Sequence, residues 1–229
     1  KEIHKTGKPI AAVLMNGRPL TITWLDENIP AILETWFLGT TTGDAIADVL
    51  SGDYNPSGKL PVTFPRNVGQ IPIHYDMKST GRPFDANDKY TSKYLDVPNE
   101  PLYVFGHGLS YTTFDYGPVT LSSKSMKPAD SLQVSVTVSN TGDYEGEEVV
   151  QLYIQDKVAS VARPVRELKG FQKINLEAGQ SEEVVFTITN EDLSFYRADM
   201  SYGSEPGEFM VFVGANSRDT QSTEFILKD

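Results

Sequence analysis

The 229 residues carry 31 acidic against 20 basic side chains, a formal charge of -11, with 39% hydrophobic residues, 18 glycines, 14 prolines and no cysteine. Such an acidic surface repels phosphate backbones, which excludes nucleic acid as a partner, and the missing thiols exclude disulfides and thiolate metal sites. No apolar run approaches the roughly 20 residues of a membrane span. The chain is long enough for one large domain or two modest ones each with its own core, and two is the preferred reading.

Lys1 leads directly into EIHKTGKPIAAVLM, without an initiator Met or the layout of a signal peptide, as expected of a piece of a longer chain. Over residues 1–75, short apolar runs alternate with helix-like stretches, the pattern of a parallel sheet covered by helices. Ile10 to Leu14 reads as a strand buried on both faces and ends in the turn Asn16-Gly17-Arg18-Pro19. Leu25 to Ile32 reads as a short helix limited by Pro30, and Ala31 to Phe37 as helix or strand. Ala45, Ile46, Val49 and Leu50 recur at helical spacing, with Thr42 placed to cap the start and Gly52 to stop the end. The turn Asn55-Pro56-Ser57-Gly58 then leads to a strand, Leu60 to Phe64, closed by Pro65, so the helix is expected to pack between two sheet elements.

Residues 76–115 lack sustained periodicity and read as a long connection. Four tyrosines, Tyr75, Tyr90, Tyr94 and Tyr103, favour packing over disorder along it. Residues 116–229 change to period two. Leu132, Val134, Val136 and Val138 alternate with polar partners, as do Val150, Leu152 and Ile154, then Val184, Phe186 and Ile188, and finally Phe209, Val211 and Val213. With turns at Asn140-Thr141-Gly142-Asp143 and Glu177-Ala178-Gly179, this spacing predicts a β-sandwich of the fibronectin kind. The expected fold class is therefore α/β plus all-β: a partial parallel α/β sandwich followed by a fibronectin type III-like β-sandwich.

No local pattern marks a catalytic site. Gly52 to Lys59 (GDYNPSGK) has five residues between its glycines where a phosphate loop has four, and Leu60 follows the Lys in place of Ser or Thr. Gly108-Leu109-Ser110-Tyr111-Thr112 lacks the final Gly of a nucleophile elbow. His4, His74 and His107 have no metal-ligand spacing, and Asp85, Asn87 and Asp88 lack the Gly and distal Glu of a calcium loop. Glycoside hydrolysis needs two carboxyl groups facing one sugar, and spacing selects no such pair. Trp24, Trp36, Tyr90 and Tyr94 are candidate sugar platforms set against the commoner role of aromatics as core residues, and Trp36 is the first to test.

WFLGTTTGDAIADVLSGDYNPSGKLPVTFPR at Trp36 to Arg66, VGQIPIHY at Val68 to Tyr75, TGRP at Thr80 to Pro83 and FGHGLSYTTF at Phe105 to Phe114 closely resemble glycoside hydrolase family 3. VSVTVSNTGDYEGEEVVQLYIQD at Val134 to Asp156 and RPVRELKGFQKINLEAGQS at Arg163 to Ser181 resemble that family's C-terminal fibronectin type III domain. The likeness covers nearly the whole chain and is nearest to the family's periplasmic β-glucosidases. It implies a retaining enzyme with an N-terminal barrel, a middle α/β sandwich and the fibronectin-like domain, acting on terminal β-D-glucosyl residues of glucosides and oligosaccharides in the periplasm or outside the cell. The family's Asp nucleophile and Glu acid/base would both precede Lys1. No catalytic, metal or cofactor residue is thus expected here, and no cofactor. TGRP and the loop after Trp36 would approach the cleft. The fragment's partners would be the missing N-terminal domains, and its unpaired sheet edge would favour self-association. Xylosidase or N-acetylglucosaminidase activity of the parent, or a carbohydrate-binding or adhesion module, are the alternatives.

Overall fold

The computed structural model describes residues 1–229. Strands β1 (Ala11–Leu14) and β2 (Ala31–Glu34) pair in parallel, from Ala11 opposite Ala31 to Leu14 opposite Glu34. The crossover between them holds helix α1 (Thr23–Asn28), which ends before Ile29 at φ -115°, ψ 118°. That is the extended backbone imposed on a residue preceding proline, here Pro30. The helix thus starts earlier and stops sooner than the expected Leu25 to Ile32, and Ala31 onward is strand.

Helix α2 (Thr42–Ser51) is closed by Gly52 at φ 86°, a left-handed position that glycine occupies without a Cβ clash. Its N-cap is Thr41, with no side-chain bond, while the Thr42 hydroxyl donates to the Gly39 carbonyl. The expectation that α2 packs between two sheet elements is corrected: it buries no residue, and Leu50 is 51% exposed. Leu60 to Phe64 is also no ladder strand, because Pro61 and Pro65 each remove a donor. It makes a single bridge, Phe64 to Tyr103, within four backbone bonds of 2.8–2.9 Å to residues 102–107.

The connecting region, residues 76–113, carries no strand or helix. Tyr75, just before it, stacks on Phe105 at 4.2 Å and Tyr103 on His107 at 5.0 Å, whereas Tyr90 and Tyr94, expected to pack as well, are 70% and 43% exposed. The base is tied to the second half where the Val165 amide donates to the Met77 carbonyl.

Strands β3 (Phe114–Tyr116), β4 (Thr120–Leu121) and β9 (Ser181–Ile188) all pair with β6 (Leu132–Asn140) in one sheet. The other sheet has the order β5-β13-β12-β7-β8, from β5 (Ser125–Met126), β7 (Gly146–Asp156), β8 (Glu167–Leu176), β12 (Gly207–Gly214) and β13 (Thr220–Leu227). A small hairpin of β10 (Phe195–Tyr196) and β11 (Tyr202–Gly203) stands beside them. The two sheets enclose a core of 19 buried apolar residues, against three, Ile22, Phe64 and Leu102, in the first half. β6 alternates buried and open positions as its sequence does, but β7 is buried on both faces from Val150 to Ile154. One face meets the core, and the other meets the connection. No helix is long and apolar enough to cross a membrane.

Candidate functional site

Two sequence motifs that show no catalytic pattern, Gly52 to Lys59 and Gly108 to Thr112, meet in one place, a polar seam between the first half and β7. The turn after α2 enters it. Tyr54 and Ser57 donate to Glu147 Oε2 at 2.9 and 3.1 Å, and Lys173 pairs with the same oxygen at 2.7 Å. Lys173, followed by Tyr54, holds the Glu147 carboxyl below its ordinary value. The Asn55 amide donates to the Glu145 carbonyl, while its own oxygen accepts from Ser110 Oγ and the Tyr111 amide, each at 2.8 Å. Ser110, the serine of the near-miss elbow, is thereby committed to a turn-to-turn contact.

Deeper in the seam, Lys59 meets Glu148 at 2.9 Å, with side chains only 11% and 4% exposed. Lys59 also donates to the Gly108 carbonyl, and the Tyr116 hydroxyl donates to Glu148 Oε1 at 2.8 Å. Burial, then the Glu148 charge, pushes the Tyr116 phenol well up, so it stays a donor. A buried carboxylate needs this double satisfaction to be tolerated. Gly108 is required here, because a Cβ would overlap the Gly58 carbonyl oxygen. Gly106, at φ 80°, likewise leaves no room beside Gln151. The Gln151 amide donates to the Gly106 and Ala215 carbonyls and accepts from Tyr153, while the Ser217 amide donates to the Phe105 carbonyl. His107 lies flat on Tyr103; burial, then the Lys59 and Arg218 charges, lowers its pKa from 6.5.

The remaining candidates scatter. Trp36 sits at the end of β2 with φ 51°, its amide donating to Glu34 Oε1 and its ring edge-on to Phe64 at 5.9 Å. Trp24 meets His4 edge-on at 5.6 Å. Tyr90 joins a different feature, an open hollow of about 810 Å³ lined by Arg82, Phe84, Asp85, Asp88 and Thr91 besides itself. There the Asp85 and Asp88 carboxylates accept from the Asn87 and Tyr90 amides. This loop gathers Arg82 of TGRP with the candidates Asp85, Asp88 and Tyr90, but Trp24, Trp36 and Tyr94 do not line the hollow. Sequence reasoning passed over Glu147, Glu148 and Gln151; their only signal is charged and amide residues in an otherwise apolar strand.

Residues 1–111 match the family profile described as glycosyl hydrolase family 3 C-terminal domain, and residues 148–217 match that of a fibronectin type III-like domain. The periplasmic beta-glucosidase of Salmonella typhimurium is 54% identical over 98% of this chain, which covers 30% of that protein. A beta-xylosidase of Formosa agariphila is 47% identical over 94% of the chain and 29% of its own length. Among solved structures, a beta-glucosidase from Listeria innocua in complex with gluconolactone superposes with a TM-score of 0.95 at 45% identity, over 99% of this chain and 32% of the other. The chain therefore spans about 30% of the length of the relatives it matches. With both profiles in family order and the seam built from the motifs that carried the resemblance, the chain belongs to glycoside hydrolase family 3, as its C-terminal domain joined to a fibronectin type III-like domain.

Proposed function

We propose that this chain is the C-terminal part of a retaining exo-β-glycosidase that removes terminal β-D-glucosyl residues from glucosides and oligosaccharides. The carrying observation is the 54% identity to a periplasmic beta-glucosidase over nearly the whole chain, which amounts to 30% of that protein. In this reading an upstream Asp attacks the anomeric carbon while an upstream Glu protonates the departing oxygen. Water, deprotonated by the same Glu, then cleaves the glycosyl-enzyme ester with net retention. No residue of 1–229 takes a chemical step. The chain holds the middle domain in shape, and the Arg82 to Thr91 loop faces the sugar-binding cleft. Residues 1–75 complete an α/β sandwich, 76–115 form the connection with its last two residues already in β3, and 116–229 form the rest of the fibronectin-like unit. The same relative supports a periplasmic location. The 47% identical beta-xylosidase favours a second specificity, for terminal xylosyl residues.

Comparing this purified chain with the full-length enzyme tests the assignment. No turnover of an aryl β-glucoside is expected from residues 1–229 and ready turnover from the full enzyme, with the aryl β-xyloside as the alternative substrate. Activity in the short chain that survives repurification overturns the supporting role. A full enzyme inert on both substrates overturns the glycosidase reading.

A further inference from the structure

The β10–β11 hairpin presents an aromatic pair that the seam does not use. Tyr196 and Tyr202 are cross-strand partners with ring centroids 4.9 Å apart at 51°, and they are 63% and 49% exposed. In the turn between them Met200 is held at φ 67°. A left-handed backbone costs a non-glycine residue about 1 kcal/mol or more, so the surrounding bonds must enforce this shape.

Those bonds are abundant. Arg197 reaches Glu205 at 2.8 Å, the Ser204 carbonyl and Ser201 Oγ. Ser201 donates twice to Asp199, Ser160 donates twice to Glu205, and Ser204 Oγ donates to Asn190. The Tyr202 hydroxyl is fixed on Glu191 at 2.9 Å. Below the pair, Phe195 is buried with the Arg163 guanidinium 4.4 Å from its ring centroid. The polar groups are spent on rigidity, and both tyrosines, tilted against each other, stay largely exposed. Large apolar rings on a preorganised frame lose little entropy when a ligand covers them.

We propose that the Tyr196 and Tyr202 faces bind the pyranose rings of a neutral, β-linked glucan. A glucopyranose unit offers apolar C–H faces to the rings and leaves its rim of hydroxyls to solvent. Charge selects the occupant. Glu191, Asp199 and Glu205 bond to the hairpin's residues, while Arg163 and Arg197 are both already paired with carboxylates. In a chain of net charge -11, this surface repels anionic polymers and a second copy of itself. The choice of glucan rests on the glycosidase reading; the existence of the platform does not.

The test uses the full-length enzyme and its retention on insoluble β-1,3-glucan and cellulose, with aryl β-glucoside turnover measured in parallel. Removing both rings in Tyr196→Ala/Tyr202→Ala should weaken retention about tenfold or more. Aryl glucoside turnover should stay unchanged, and Tyr196→Trp, which keeps a stacking face, should be retained like the parent enzyme. Equal retention of the double variant, no retention of the parent, or a Tyr196→Trp loss as large as that of alanine overturns the proposal. So does a dimer in sedimentation that the double variant dissolves, which assigns the face to a second copy. Retention without aryl glucoside turnover supports the platform and counts against the glycosidase reading instead.

Discussion

Lys59 and Glu148 show how much one buried pair demands of its surroundings. Lys59→Met leaves the Glu148 carboxylate with Tyr116 as its only remaining side-chain partner and should cost about 3–5 kcal/mol, whereas replacing both partners by methionine should cost far less. Urea denaturation of the single and double variants checks this, and equal losses would mean that the charge is not the cause. His107 adds a pH dependence. Its folded-state pKa lies below its ordinary 6.5, so the unfolded chain binds more protons over that interval, and stability falls as pH drops through it. His107→Phe, which keeps a ring over Tyr103, should flatten the stability profile between about pH 7 and 5. An unchanged acid limb would place the responsible group elsewhere.

Among the elements, β7 is the hinge of the arrangement and α2 its loosest part. A strand covered on both faces exchanges its amides only on extensive unfolding, while a helix that buries no residue opens locally. Hydrogen exchange should therefore be slowest in β6, β7 and β12 and fastest in α2 and β1; equal protection of α2 and β7 would contradict this. The Phe105 to Gly108 turn is similarly constrained by space. Gly106→Ala, opposed by both its positive φ and Gln151, and Gly108→Ala, opposed by the Gly58 carbonyl, should each lower stability by about 2 kcal/mol or more. At this scale the alternating strands β6, β9 and β12 were readable from period two and α2 from its apolar spacing and Gly52, whereas period two in β7 gave only its core face and not the burial of Gln151 and Tyr153 on the other. Leu60 to Phe64 was misread as a ladder strand because its apolar content suits a strand while its two prolines deny the bonds. Tyr90 and Tyr94 were grouped with packed tyrosines because composition does not report which rings find a partner.

For the molecule as a whole, the two halves are unequal. The sandwich encloses 19 buried apolar residues, and the first half gathers three around a two-stranded sheet. Residues 116–229 alone should unfold cooperatively, while residues 1–115 alone should not, as circular dichroism on the two pieces would reveal. We propose further that the exposed Met15 and Phe37, beyond the ends of β1 and β2, and Leu50 of α2 mark a face that the rest of the enzyme covers, so that the isolated chain self-associates. A monomer in sedimentation at high concentration would argue against it. Local pattern sufficed for the sandwich strands, for α2 and for the family likeness, since periodicity, turn residues and motif order are written in neighbouring positions. The seam was settled only by tertiary structure. Lys59 and Glu148 stand 89 positions apart, and whether a carboxylate is a solvated charge or a buried anchor depends on which distant donor the fold carries to it.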